Sequence, residues 1–149
     1  MAVTLGGIAV SVTSTYETTL VRLRLQKTVG VGFVDKCIYQ DNICVAQAGA
    51  ETLVFNGVGD SDFSAAIEIT FQVWESVNAG STQLISKSLT GGDITLGSDA
   101  SFQLDLSATE TGALAARVNY YEVWVTMTGD RPYAVGKGNF QVEDTRKYD

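Results

Sequence analysis

Hydrophobic positions recur with a period of two through most of the chain. Ile67, Ile69, Phe71 and Val73 alternate with Glu68, Thr70, Gln72 and Trp74, which predicts a strand with one face in a core and one wetter face. Thr19, Val21, Leu23 and Leu25 alternate in the same way with Leu20, Arg22, Arg24 and Gln26. The first well-defined strand therefore carries its arginines on one face. Further strands are predicted over 52–58, 83–87, 101–106, 119–127 and 133–142, with breaks at Gly57-Val58-Gly59-Asp60, Asn78-Ala79-Gly80, Gly91-Gly92-Asp93 and Thr128-Gly129-Asp130-Arg131-Pro132. Long stretches of 3.6-residue periodicity are missing. The one helical signal is Ser107-Ala108-Thr109-Glu110, a capping box closed within a turn by Gly112. The pattern predicts an all-β, antiparallel two-sheet sandwich of about 7–9 strands with one short helical turn near Ser107–Gly112.

Length and composition narrow what such a sandwich does. The 149 residues make one domain. With 45% hydrophobic and 18% charged residues, the chain is composed to pack a core. There is no histidine, which removes Ser-His-Asp, Cys-His and His-metal chemistry together. The formal net charge of -7 disfavours nucleic acid and anionic membrane surfaces as partners, because both are bound through basic patches. No basic residue precedes Arg22, so the opening apolar run lacks the n-region of a signal peptide, and a cytoplasmic product is expected. Residues 1–34 are read as an N-terminal arm and first strand, 35–142 as the sandwich, and 143–149 as a charged tail.

Candidate chemistry is sparse. Cys37 and Cys44 would face each other if Gln40-Asp41 made a two-residue hairpin loop, within reach of a disulfide. Reduced thiols are the alternative, favoured in a reducing compartment. Asp60-Ser61-Asp62 lacks the spacing of a calcium loop, and Gly30-Val31-Gly32 and Gly136-Lys137-Gly138 do not continue as phosphate-cradling motifs. No catalytic, metal or cofactor residue is assigned, and no cofactor is expected. Glu68, Glu75, Asp105 and Glu122 would supply a glycoside hydrolase only if two of them converged. Trp74, Tyr120 and Trp124 would form a sugar-stacking strip if their strands were neighbours, or a subunit interface, where such residues are enriched.

From about Cys44 to Val142 the order of these signals resembles a small immunoglobulin-like module of bacteriophage virion proteins, found at the N-terminus of baseplate upper proteins and in head-fibre and tail-fibre proteins. The resemblance rests on Ala50-Glu51-Thr52-Leu53-Val54-Phe55, Ala66 to Trp74, Leu84 to Leu89 and the turn Leu106-Ser107-Ala108-Thr109-Glu110-Thr111. Its most telling part is the closing hairpin, Asn119-Tyr120-Tyr121-Glu122-Val123-Trp124-Val125-Thr126 followed by Gly138-Asn139-Phe140-Gln141-Val142. Where the module often has glycine before the tyrosine pair, this chain has Arg117-Val118-Asn119.

The resemblance implies an immunoglobulin-like sandwich and a virion structural protein without enzymatic activity, made in the host cytoplasm. Capsid decoration or head attachment is the first expectation; a baseplate, neck or tail-fibre adaptor is the alternative, and a carbohydrate-binding module a further one. Its partners would be other virion proteins, with homo-oligomerisation expected. Leu5, Ile8 and Val10 on the arm, with Trp74, Tyr120 and Trp124 on the sheet, are the candidate contact residues.

Overall fold

The computed structural model describes residues 2–5, 8–11, 16–28, 32–34 and 39–144. Two short antiparallel pairs stand apart from the main sheets: β1 (Ala2–Leu5) with β2 (Ile8–Ser11), and β4 (Gln26–Thr28) with β5 (Gly32–Val34). The smaller main sheet has the order β11-β12-β8-β3, built from β3 (Glu17–Leu23), β8 (Glu51–Gly57), β11 (Ile94–Leu96) and β12 (Ser101–Leu106). The larger has the order β10-β9-β13-β14-β6, from β6 (Tyr39–Gln40), β9 (Ala66–Trp74), β10 (Gln83–Ser88), β13 (Val118–Met127) and β14 (Pro132–Glu143). Alongside β6, β7 (Ile43–Ala46) also pairs with β14.

The period-two pattern is what places the core. On β9, Ile69, Phe71 and Val73 are fully buried, and on β13 the same holds for Tyr121, Val123 and Val125. The sheets meet through aromatic rings. Phe55 on β8 lies 5.6 Å from Phe71 on β9, Phe102 stacks on Phe55 at 4.9 Å, and Phe63 meets Phe102 edge-on at 5.2 Å. The expected turn is present as α1 (Ala108–Gly112), with both halves of its capping box made: Glu110 N–H donates to Ser107 Oγ, and Ser107 N–H to Glu110 Oε1. The Glu110 carboxylate also meets Lys87 Nζ at 2.6 Å.

Two expectations are corrected. The sandwich is all-β but not wholly antiparallel: β3 runs parallel to β8, and β6 and β7 run parallel to β14. Strand alternation dictates which face is buried and leaves neighbour and direction open. Within the first 34 residues, Val21, Leu23 and Leu25 are buried in the same core as the rest of the sandwich. Finally, Gln40-Asp41 is not a hairpin loop. Tyr39–Gln40 and Ile43–Ala46 follow each other in one direction along β14, and Asp41 and Asn42 bridge the gap between them: Asp41 N–H donates to Lys137 O at 3.2 Å, while Asn139 N–H donates to Asn42 Oδ1 at 3.3 Å. Cys44 is an exposed free thiol opposite Gln141; Cys37 lies outside the described residues.

Candidate functional site

The outer face of the larger sheet brings together the aromatic residues singled out in the sequence. Because Tyr121, Val123 and Val125 face inward, Tyr120, Glu122 and Trp124 face outward and are half-buried. Antiparallel pairing sets Tyr120 directly opposite Trp74, so the two side chains stand next to each other on one face. One step along, Glu122 lies between Gln72 and Lys137, and one step further Trp124 lies between Thr70 and Ala134. Trp124 Nε1–H donates to Glu122 Oε2 at 2.9 Å, tying these rows together. Burial, reinforced by the Glu122 carboxylate, pushes the Tyr120 phenol up, so it remains a protonated donor at neutral pH.

A cleft of about 180 Å³ opens at the Trp74 end of this face. Trp74, Tyr120 and Glu122 line it on the sheet side, and residues 76–81 line it on the other. That loop is held by its own bonds: Ser81 Oγ–H donates to Ser76 O at 2.9 Å, Ser81 N–H to Asn78 O at 3.1 Å, and Glu75 N–H to Thr82 O at 2.9 Å. Arg117 Nη2 meets Glu75 Oε1 at 3.2 Å and fastens the loop's base to the start of β13. Here the segment Arg117-Val118-Asn119 has a definite task, since Arg117 Nε–H also donates to Asn119 Oδ1 at 3.1 Å.

Glu68 and Glu122 do not converge as a pair. They share the outer face, but Glu122 pairs with Gln72, four residues from Glu68 along β9, which is about 13 Å of strand. That exceeds the roughly 5–9.5 Å that glycosidase carboxylates require. Glu68 accepts from Thr90 N–H at 3.1 Å and from the Thr90 hydroxyl; Asp105, on the smaller sheet, accepts from the Thr52 hydroxyl at 2.7 Å. No cluster of three or more His, Cys, Asp or Glu suited to a metal occurs among the described residues. In the Asp60-Ser61-Asp62 segment, Ser61 is a structural tie: its Oγ accepts from Leu25 N–H at 3.0 Å and donates to Val58 O at 2.6 Å. Burial, then the adjacent Glu143 carboxylate, pushes the Cys44 thiol up, which keeps it protonated.

Of the arm residues, Leu5 pairs with Ile8 and Val10 with Val3 in the β1–β2 ladder. A contact the sequence did not reveal lies at the sandwich edge. Tyr121 OH donates to Asp41 O at 2.7 Å, and the Asp41 carboxylate accepts from Arg22 N–H at 3.1 Å and Arg22 Nε–H at 3.2 Å. Burial raises the Asp41 pKa, but these bonds outweigh it and hold the carboxyl below its ordinary value. A buried tyrosine in need of a partner for its hydroxyl was the available signal.

No protein-family model matches the chain, and no curated protein sequence matches it. Among solved structures, it is similar to the N-terminal domain of phage TP901-1 ORF48 at 10% sequence identity and a TM-score of 0.48, covering 85% of this chain and 99% of that one. It is also similar to a laccase from Pediococcus acidilactici at 7% identity and a TM-score of 0.37, covering 93% of this chain and 28% of the laccase.

Proposed function

We propose that this protein is a non-catalytic structural component of a bacteriophage particle, a head-decorating or head-attaching subunit that acts through protein–protein contacts. The observation that carries the reading is Trp124. Its half-buried indole stands on the outer face in the row Ser88, Thr70, Trp124, Ala134, a single large anchor among small side chains. Interface energy is concentrated in anchors of this kind, with surrounding small contacts serving to exclude water. The segments behind the resemblance to phage virion modules support the same reading, since 118–143 forms one long hairpin and Ser107–Gly112 forms the capped turn. The scattered, hydrogen-bonded carboxylates support a role without catalysis.

Mass spectrometry of purified particles tests this directly: the chain is expected in stoichiometric amount, and its absence would refute the proposal. Electron microscopy of the same particles is expected to place it on the shell; density on the tail would transfer the reading to a baseplate, neck or fibre adaptor. Trp124→Ala is expected to lower its occupancy on particles by about tenfold or more while leaving the isolated domain folded.

A further inference from the structure

We infer that the cleft between Trp74, Tyr120 and the 76–81 loop is a binding site for a single neutral pyranose ring. The inference does not rest on particle assembly: the cleft is centred on the Trp74–Tyr120 pair, two rows along the same face from Trp124.

Size comes first. At about 180 Å³ the cleft is smaller than the roughly 300–1,000 Å³ of pockets that enclose drug-sized ligands. It accommodates one six-membered ring and is too small for a folded peptide segment. The lining then selects the chemistry. A pyranose has an apolar face of C–H groups and a rim of hydroxyls. Trp74 and Tyr120, opposed across β9 and β13, supply adjoining aromatic surface for the apolar face. Glu122, Ser76, Asn78 and Ser81 supply acceptors and donors for the rim. Among these the Glu122 carboxylate is the strongest acceptor, and its Oε2 is oriented by Trp124 Nε1–H. Among the described residues no cation lines the cleft, and Lys137 lies one strand beyond Glu122. A neutral sugar fits this lining better than a uronate or phosphosugar, whose charge Glu122 would repel.

The site is also prepared in advance. The 76–81 loop is fixed by the bonds of Ser76, Asn78 and Ser81 and by the Arg117–Glu75 ion pair, so little ordering remains to oppose binding.

The test uses the full chain, with methyl glucosides, methyl galactosides and N-acetylglucosamine as neutral probes and glucuronate as the charged one. The chain contains 2 tryptophans, so the indole N–H region of a ¹⁵N-correlated NMR spectrum reports on both without any substitution. At least one neutral sugar is expected to bind saturably at millimolar concentration, moving the Trp74 indole signal, while glucuronate binds at least about tenfold more weakly. Trp74→Ala and Tyr120→Ala are expected to weaken binding by about tenfold, Tyr120→Phe by less, and Leu20→Ala on the other sheet not at all. Absence of saturable binding of every neutral probe up to about 50 mM would overturn the inference. So would folded Trp74→Ala and Tyr120→Ala variants that bind as tightly as the parent. Loss of the Trp74→Ala chain from particles in the absence of sugar binding would assign the cleft to a subunit contact, refuting this site and leaving the structural role intact. Sugar binding by a chain absent from particles would do the reverse.

Discussion

Gly136 and Gly138 show how much of this fold depends on single residues. A Cβ at Gly138 would stand 1.9 Å from the Asp41 carbonyl oxygen, and one at Gly136 would stand 2.2 Å from Leu23 Cδ2. Both therefore sit where β14 is approached too closely for a side chain, and the obstacle at Gly138 is backbone, which cannot swing away. Gly138→Ala is expected to lose more than the roughly 1–3 kcal/mol typical of overpacking, and Gly136→Ala less, since a leucine can shift its rotamer. Urea denaturation of the two variants measures this; a Gly138→Ala protein as stable as the parent would contradict the placement of Asp41. Nothing in the sequence of Gly136-Lys137-Gly138 reveals this crowding, because the neighbours lie at residues 23 and 41, far off in the chain. Ser61 was hidden for the same reason: a serine between two aspartates looks like a solvated loop until Leu25 and Val58 are seen to claim its hydroxyl.

At the scale of elements, legibility followed the range of the interaction. The strand at 66–74 and the capped turn at 107–112 were readable because alternation and the Ser107–Glu110 spacing are local. The edges were not. The parallel partnership of β3 with β8 joins residues more than thirty positions apart, and alternation alone does not name the partner strand or its direction. The site was half legible: its three aromatics could be named, and their union waited on β9 pairing with β13. Ser107→Ala is expected to cost about 1 kcal/mol through loss of the cap, measurable in the same denaturation experiment. Lys87 gives a sharper prediction. It pairs with Phe71 and so faces inward at the open edge of β10, its side chain only 14% exposed and its ammonium on Glu110. Inward-pointing charge at a sheet edge opposes edge-to-edge pairing. Lys87→Leu is expected to increase self-association at high concentration, seen as a rise in sedimentation coefficient over the parent; an unchanged sedimentation coefficient would contradict this role for Lys87.

The molecule as a whole carries a directional response to pH. Burial pushes Asp41, Glu68 and Glu110 up, but the hydrogen bonds each accepts, led by those from Arg22, Thr90 and Lys87 respectively, together hold them below their ordinary values. Asp130 is held down by the Tyr133 hydroxyl at 2.6 Å and by Arg131 N–H. Depressed carboxyl groups stabilise the fold above their unfolded-state pKa values and lose that contribution as the pH falls through their folded-state values. Stability is therefore expected to decline progressively from about pH 5 to about pH 2, and urea midpoints across that range check it. Tyr121 acts at the other end: burial, with the Asp41 charge, pushes its phenol up, so its contribution is intact below about pH 10 and is lost as the pH rises.

The pairing of β7 with β14 has a bearing on how the chain reaches this state. Ile43 and Val45 are buried against a strand that carries their partners Phe140 and Val142, close to a hundred residues later. During synthesis those two side chains leave the ribosome long before their cover exists. Closure over such a distance is entropically slow, so the large sheet completes only after residue 142 has emerged, and until then Ile43 and Val45 lack the strand that covers them.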